Sequence, residues 1–299
     1  MNIFIESTGS LVSSYLVKAI QSAGYRCIGS DVHDDVAGKY LADDFVVVPG
    51  KDDPNLWDFL YEMVVVKKID VVIPSFDETL LEWAKRKNEF KKLGVHVILS
   101  DEKVIEVFQD KYASYHFFDQ ANVSTPKTSL TYDYALVKPR FGRGGKGVLI
   151  NPPADINMQG MISQELLEGV EYTIDVFCDL DSKPVYVVPR TRLAVTEGKS
   201  TGGQVVNHEL IAEEVKKICH ATKFIGPINL QCIESINGDV SFIEVNPRIA
   251  GGMALGFAAT ENWINLIVNH MVHGNKISEI APVSYGMKMF RYYSELFVK

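Results

Sequence analysis

Cysteine is scarce in this sequence and forms no metal-binding or redox pattern. Only 4 of the 299 residues are cysteine, and no two of them have the CxxC spacing of a zinc ribbon or a redox pair. Single cysteines in apolar stretches are usually small core residues. We therefore expect neither a zinc ribbon nor a disulfide framework.

Basic residues and long hydrophobic runs are also in short supply. Lys and Arg number 30 and Asp and Glu 38, which gives a formal charge of −8. A general nucleic-acid surface needs a basic excess, so we expect no nucleic-acid partner. The longest aliphatic runs, such as FVVVP and MVVV, are far shorter than a membrane span, and MNIFIESTGS lacks a secretory pattern. The sequence predicts a cytoplasmic protein with no membrane partner.

The first hundred residues alternate apolar strands with helical stretches. Strands are predicted at NIFIES, YRCIGSDV, DDFVVVP, IDVVIPSF and VHVILSD, and helices at 11–24, 55–68 and 78–94. This alternation predicts an α/β fold with a doubly wound parallel sheet. Only Gly9 follows the first strand, so the three-glycine fingerprint of a dinucleotide site is missing. The alternative is that Gly9 simply forms a tight turn into the first helix.

The pattern changes near residue 108, where we place a domain boundary between 1–108 and 109–299. A helix is predicted at 110–123, and most of the remaining segments resemble strands and hairpins, which indicates an α+β C-terminal part. Two further helices are expected at 208–223 and 260–274.

A basic, glycine-rich segment, VKPRFGRGGKGV, follows in the second domain. Lys138 ends an apolar strand, and the glycines after it allow backbone N–H groups to approach an anion closely. Arg140, Arg143 and Lys146 add positive charge, as a loop over a polyphosphate requires. The pattern is not that of a P-loop. A flexible hairpin with a basic tip is the alternative interpretation.

The segment FIEVNPR carries candidate metal ligands. Glu244 and Asn246 are two apart on a strand and therefore share a face, and their oxygens suit Mg²⁺. The NGD turn at 237–239 predicts a hairpin that pairs this strand with INLQCIE, where Asn229 and Gln231 also share a face. An edge hairpin with a polar outer face is the alternative.

Three further groups of side chains stay open to two interpretations. The acids of SQELLEGVEYTIDV could bind ribose hydroxyls or simply face solvent. Arg190 and Arg192 share a strand face and suit a substrate carboxylate, or they pair with acids across the sheet. Asp77 and Glu78 could form an acceptor pocket or cap the following helix.

Lys111, VKPRFGRGGKGV, QELLEGVEYTIDV and NLQCIES…FIEVNPR, in this order, resemble the ATP-grasp superfamily. The similarity is greatest to carbamoyl-phosphate synthase large-subunit halves and small carboxylate–amine ligases, and it covers roughly residues 105–270. Residues 1–108 resemble the α/β domain that precedes ATP-grasp domains. The resemblance implies a compact two-lobed domain, with a nucleotide lobe at 109–180 and a metal and substrate lobe at 181–299.

The resemblance also implies roles for individual residues. The catalytic positions are Arg248 beside the transferred phosphate, with Arg190 and Arg192 near the acceptor within 189–203. The metal positions, for Mg²⁺ or Mn²⁺, are Gln231, Glu244 and Asn246. The ATP-binding positions are Lys111, Lys138, Arg140, Gly142, Gly144, Gly145, Lys146, Glu165, Leu167 and Glu171.

The implied activity is that of an ADP-forming ligase. ATP would phosphorylate a small-molecule carboxylate, and an amine would then attack the acyl phosphate. A carbamoyl-phosphate-synthase-like carboxylate or carbamate kinase and a nucleotide-binding pseudoenzyme or assembly subunit are the alternatives, and a homodimer is a candidate assembly. Two features depart from the family: Gln231 stands where many relatives have a carboxylate, and the connections 126–138 and 147–164 are short, as if each lacked a helix.

Overall fold

The computed structural model describes residues 1–10, 13–196, 199–292 and 294–298. Of the segments predicted above, residues 11 and 12 of the first helix and residues 197 and 198 of the acceptor segment lie outside the described residues. No helix among the described residues is both long and apolar enough to span a bilayer.

The N-terminal part is the parallel sheet that the sequence predicts. Its strands lie in the order β3-β2-β1-β4-β5 and comprise β1 (Asn2–Ile5), β2 (Arg26–Asp31), β3 (Asp44–Val47), β4 (Val71–Ile73) and β5 (His96–Val97). The accompanying helices are α1 (Ser14–Ser22), α2 (Ala37–Leu41), α3 (Leu56–Val66) and α4 (Leu80–Lys92). Phe4, Val72 and Trp83 are fully buried between sheet and helices, because the strands are apolar on both faces.

Two helices connect the parallel sheet to the rest of the chain. They are α5 (Glu102–Gln109), which the sequence did not predict, and α6 (Lys111–Gln120), which it did. Ile105 packs in the N-terminal core, whereas Val104 and Phe108 pack in the core of the larger sheet described below. The predicted boundary at 108 therefore falls within a helix that contacts both cores.

A small antiparallel sheet follows, in the order β6-β9-β7-β8. Its strands are β6 (Thr128–Ser129), β7 (Leu136–Pro139), β8 (Leu149–Ile150) and β9 (Met161–Gln164). No helix occurs between residues 128 and 164, all of which the structure describes. The short connections noted in the sequence thus contain no helix.

The largest unit is an antiparallel sheet in the order β14-β13-β10-β11-β12-β15. Its strands are β10 (Val170–Cys178), β11 (Pro184–Thr196), β12 (Lys199–Val205), β13 (Gly226–Glu234), β14 (Val240–Asn246) and β15 (Lys288–Phe290). Ile174 and Val176 pack with α7 (Glu209–Ala221), so the alternating Thr173 and Asp175 face the other way. This second face carries the polar residues of the site.

The remaining helices close the end of the larger sheet. They are a 3₁₀ turn (Gly251–Met253), α8 (Ala254–Ala259), α9 (Trp263–Leu266) and a π-helical turn (Ile267–Val272). The sequence missed α8, whereas α9 and the π-helical turn lie within the helix predicted at 260–274. Trp263 is fully buried and packs against Tyr186 of the sheet.

Candidate functional site

Strands β13 and β14 pair as the NGD turn predicts. Gln231 lies opposite Glu244, and Asn229 lies opposite Asn246, so all four side chains share one face. The predicted metal positions are therefore brought together by strand register.

Gln231 links Glu244 to the neighbouring strands. With its amide oriented to satisfy both neighbours, its nitrogen donates to Glu244 Oε2 at 3.2 Å and its oxygen accepts from Arg192 Nη2 at 2.6 Å. Arg192 also contacts Glu171, with 3.2 Å between Nη2 and Oε1, and donates to Thr173. Arg192 and Glu171 thus form a cross-strand pair, the second of the two interpretations of Arg192 left open by the sequence.

The oxygens of Glu244 and Asn246 fit a divalent cation. Both are hard donors on one strand face, and Asn246 Oδ1 also accepts from Arg248 Nη2 at 3.3 Å. Gln231 is a weaker candidate ligand, because its oxygen already accepts from Arg192. In this arrangement Gln231 orients the Glu244 carboxylate.

Lys111 contacts the glycine loop, and Lys138 lies within electrostatic range of Glu244, one of the predicted metal positions. Lys138 Nζ donates to Gln164 Oε1 at 2.8 Å, and Lys111 Nζ donates to the Gly142 carbonyl at 2.7 Å. The pKa of Lys138 is lowered to about 8, mainly by burial. The charge of Glu244 opposes this shift, and the charge of Lys111 adds to it. The Lys138 ammonium is thus within electrostatic range of both Glu244 and Lys111.

Nucleotide binding is expected to weaken as the pH rises from about 7 to about 9. Lys138 carries its proton below a pKa of about 8, so its positive charge is present at neutral pH and is lost above it. Losing one charged hydrogen bond costs roughly 1.5–3 kcal/mol, which corresponds to about a tenfold or larger rise in Kd. Calorimetric titration with ADP and Mg²⁺ across this range checks it. Lys138→Arg, which stays charged, should remove the pH dependence of Kd. A wild-type Kd that stays constant between pH 7 and pH 9 would contradict the role given to Lys138.

The glycine loop adopts a conformation that few other residues tolerate. Gly142, Gly144, Gly145 and Gly147 have φ of +115°, +69°, +69° and +75°. Lys146 and the rest of 141–150 are exposed. The loop therefore presents backbone and cationic groups to the surroundings of Lys138.

The glycine loop and the end of β14 meet at one carboxylate, Asp77, in the N-terminal part. Arg248 donates to Asp77 through Nε at 2.7 Å and Nη2 at 2.6 Å. Arg143 Nη1 lies 3.5 Å from Asp77 Oδ2, and Arg143 Nη2 donates to Glu78 at 3.2 Å. The glycine loop and the end of β14, two separate segments of the C-terminal part, are thus joined through Asp77 of the N-terminal part.

Arg140 forms an ion pair with a carboxylate of the same chain. Its guanidinium pairs in bidentate fashion with Asp110, at 2.8 and 2.5 Å, and Asp110 also caps α6. This pairing raises the pKa of Arg140 and, although burial opposes it, the pKa of Asp110 is lowered. Arg140 thus fixes the start of α6, where Lys111 is located, and its contact with ATP stays a prediction.

The predicted adenine segment follows β9. The Glu165 carboxylate accepts from the Lys127 backbone N–H at 2.9 Å, and the Glu165 N–H donates to the Lys127 carbonyl at 3.0 Å. Leu167 and Glu168 line an open cavity of about 590 Å³ beside α7. Lys127, immediately before β6, thereby holds the segment in place, and the contact of the segment with adenine stays a prediction.

Arg190 forms a buried ion pair with Asp175. Arg190 Nε lies 2.9 Å from Asp175 Oδ2, and the two side chains are 2% and 0% exposed. Asn229 donates to the same carboxylate at 2.7 Å. Gly252 makes room for the pair, because a Cβ there would lie 2.5 Å from Arg190 Nη2. Pairing with an acid, the second of the two interpretations of Arg190, is therefore what the structure shows.

Arg291 is a partly buried cation that the sequence did not single out. Its Nη2 donates to the Gly251 carbonyl at 2.5 Å, and its buried Nε has no hydrogen-bond partner among the described residues. Burial lowers its pKa, the Tyr15 hydroxyl raises it, and Arg190 lowers it. Within the described part of the chain no acid pairs with Arg291, so a cation without a counter-ion lies beside the turn that follows Arg248.

Two family models match the chain, one within each of its parts, and residues 99–156 lie outside both matches. Residues 157–292 match the model described as ATP-grasp in the biosynthetic pathway with Ter operon. Residues 3–98 match the PylC-like N-terminal domain. Residues 157–292 are therefore similar to ATP-grasp domains and residues 3–98 to PylC-like N-terminal domains, as the resemblance implied.

Individual relatives agree with this assignment. The carbamoyl phosphate synthase large chain of Campylobacter jejuni is 24% identical over 66% of this chain, which spans only 21% of that protein. N5-carboxyaminoimidazole synthetase from Staphylococcus aureus, solved with ADP, has a TM-score of 0.73 and 18% identity, covering 95% of this chain and 80% of its own. An L-amino acid ligase from Bacillus licheniformis has a TM-score of 0.71 and 16% identity, covering 91% and 74%. The structural similarities show a shared fold.

Proposed function

We propose that this protein is an ATP-dependent, ADP-forming ligase that joins a small-molecule carboxylate to an amine. The observation that carries the proposal is the convergence of Lys138 from β7 with Glu244 of β14 and Arg248 just after the end of β14. Cations and hard oxygen donors together are what phosphoryl transfer from a nucleotide requires. Cytoplasmic location and a homodimer stay predictions.

The proposed reaction has two steps. An oxygen of the substrate carboxylate attacks the γ-phosphorus of ATP, and the bond from that phosphorus to the bridging oxygen of ADP breaks. The amine nitrogen then attacks the acyl carbon, phosphate leaves with the electrons of the C–O bond, and the amine releases a proton to solvent. The first step gives the acyl carbon a good leaving group, and the second step expels it.

The residues of the chain position and neutralise the phosphates. Lys111 and Lys138 would bind phosphate oxygens under the glycine loop, and the guanidinium of Arg248 would lie beside the transferred group. Glu244 and Asn246 would hold Mg²⁺, which supplies charge neutralisation when bound. Catalysis of this kind depends mainly on preorganised geometry and charge.

Arg291 supports a carboxylate substrate. A partly buried guanidinium without an acidic partner among the described residues is costly, and a bound anion would compensate its charge. We propose that Arg291 binds the substrate carboxylate, because Arg190 and Arg192 are already paired with Asp175 and Glu171. The L-amino acid ligase of the same fold is named for an activity of this class.

The matches to carbamoyl phosphate synthase large chains favour a second candidate. In this version the chain phosphorylates bicarbonate, carbamate or another carboxylate, and no amine is joined to it. The same residues would bind ATP, so the acceptor alone distinguishes the two candidates.

A screen of paired carboxylates and amines with MgATP tests the proposal. ADP and phosphate release that requires both partners supports the ligase, whereas release with a carboxylate alone supports the kinase. Arg291→Gln should raise KM for the carboxylate about tenfold or more, since a charged hydrogen bond is lost, and Arg291→Lys should recover part of it. Tight ATP binding without turnover for any acceptor would contradict both enzymes.

A further inference from the structure

The turn after β4 is held by a carboxylate from the neighbouring strand. Glu6, just after β1, accepts hydrogen bonds from the backbone N–H groups of Ser75 at 3.0 Å and Phe76 at 3.3 Å. It also accepts from Thr79 Oγ1 and Trp83 Nε1, both at 2.9 Å. Burial raises the pKa of Glu6, and these four donors lower it. Three donors from the turn 75–79 and one from α4 thus converge on one carboxylate, which fixes the turn against the helix.

This turn carries Asp77 into the site. Both Asp77 oxygens accept from the Arg248 guanidinium, and the side chains of Asp77 and Arg248 are 19% and 11% exposed. Bidentate pairing fixes the plane of a guanidinium as well as its position. Asp77 therefore determines which way Arg248 points.

The remaining donors of Arg248 are almost all engaged. Nη1 donates to the Ile249 carbonyl at 3.0 Å, and Nη2 donates to Asn246 Oδ1 at 3.3 Å. Of the five N–H groups of a guanidinium, one, on Nη1, has no partner among the described residues. That N–H group is available to a phosphate oxygen.

We propose that Asp77 is a positioning residue that orients Arg248 for phosphoryl transfer, and that Glu6 acts through the turn 75–79 to hold Asp77. The inference rests on the proposed function. It gives the N-terminal part a role in the reaction, although that part contributes no predicted phosphate ligand. Arg143, which lies over the Phe76 ring at 4.8 Å and contacts Glu78, attaches the glycine loop to the same turn.

The Asp77→Asn variant tests whether Asp77 orients Arg248 or only holds the N-terminal and C-terminal parts of the chain together. The amide keeps the size of the side chain but removes its charge and one acceptor, so Arg248 loses its fixed orientation. We expect kcat to fall about tenfold to a hundredfold while KM for ATP changes little, because misplacement affects the transition state most. Asp77→Glu, which keeps the carboxylate, should recover part of the loss. Glu6→Gln should lower kcat in the same way but less.

Asp70→Asn is the matched control. Asp70 accepts from the Asn2 backbone N–H at 2.7 Å, at the opposite end of the same sheet. The Asp70→Asn variant should therefore have the wild-type kcat and KM. An Asp77→Asn enzyme with wild-type kcat, or one whose loss appears only in KM, would overturn the positioning role.

Trypsin cleavage provides a readout that needs no turnover. Cleavage after Arg143 should become several-fold faster in Asp77→Asn, because Arg143 loses an ionic partner, whereas cleavage after Lys146 in the same loop should change less. An unchanged rate after Arg143 would contradict the arrangement at Asp77. A wild-type protein without turnover on any substrate pair would instead contradict the proposed function, and the two failures are thus distinguishable.

Discussion

Arg248→Ala is expected to lower kcat by about a hundredfold or more while the protein stays folded. Arg248 reaches the site from the end of β14 and is the cation that Asp77 orients. Without it, charge on the transferring phosphate is not neutralised, whereas Arg143 still lies beside Asp77. Substrate-dependent ADP release and a denaturation curve measure the two effects.

Glu244→Ala should give a loss of the same order for a different reason. It removes a proposed metal ligand and the carboxylate that Gln231 orients. Arg26→Ala is the control for both variants, because Arg26 lies in an exposed pair with Asp44 in the N-terminal sheet. If either site variant released ADP at the wild-type rate with substrate present, the role given to that residue would be wrong.

Asp175→Ala is expected to lower the free energy of unfolding by about 3–5 kcal/mol. The variant leaves Arg190 as an unpaired cation in a site from which water is excluded. Its Nη1 already lacks a partner among the described residues, so no nearby group takes over the charge. Urea denaturation followed by circular dichroism measures the change.

Two comparisons make this result specific to the buried charge. Asp44→Ala removes an acid paired with Arg26 and Lys67 near the surface and should cost no more than about 1 kcal/mol. Asp175→Leu combined with Arg190→Met removes both charges and should recover much of the stability. If Asp175→Ala lowered the free energy of unfolding by less than about 1 kcal/mol, the expected cost of an unpaired buried Arg190 would be wrong.

Local patterns predicted the parts of the fold that local physics determines. The apolar alternation predicted the five parallel strands, and the two-residue period placed Glu244 and Asn246 on one face, because side-chain direction in a strand depends only on sequence spacing. The NGD turn likewise predicted the β13–β14 hairpin. The order of motifs then indicated the superfamily.

Partners across the fold were not predictable in the same way. Nothing near Arg248 in the sequence indicates Asp77, and Arg190 suits a substrate as well as it suits Asp175 until the register of β10 and β11 is known. Arg291 has no motif at all; only its burial without an acid among the described residues identifies it. Such pairings depend on tertiary placement, which short windows of sequence do not contain.

The small sheet has a thermodynamic consequence for its ligand. Val137 and Ile162 are fully buried, yet the sheet is only four strands wide, and neither residue belongs to the three large hydrophobic clusters of the described residues. Few apolar contacts then oppose local opening of these strands. We therefore expect a nucleotide bound as proposed above to stabilise the closed strands, so that amide hydrogen exchange in β7 and β9 slows when MgADP is added.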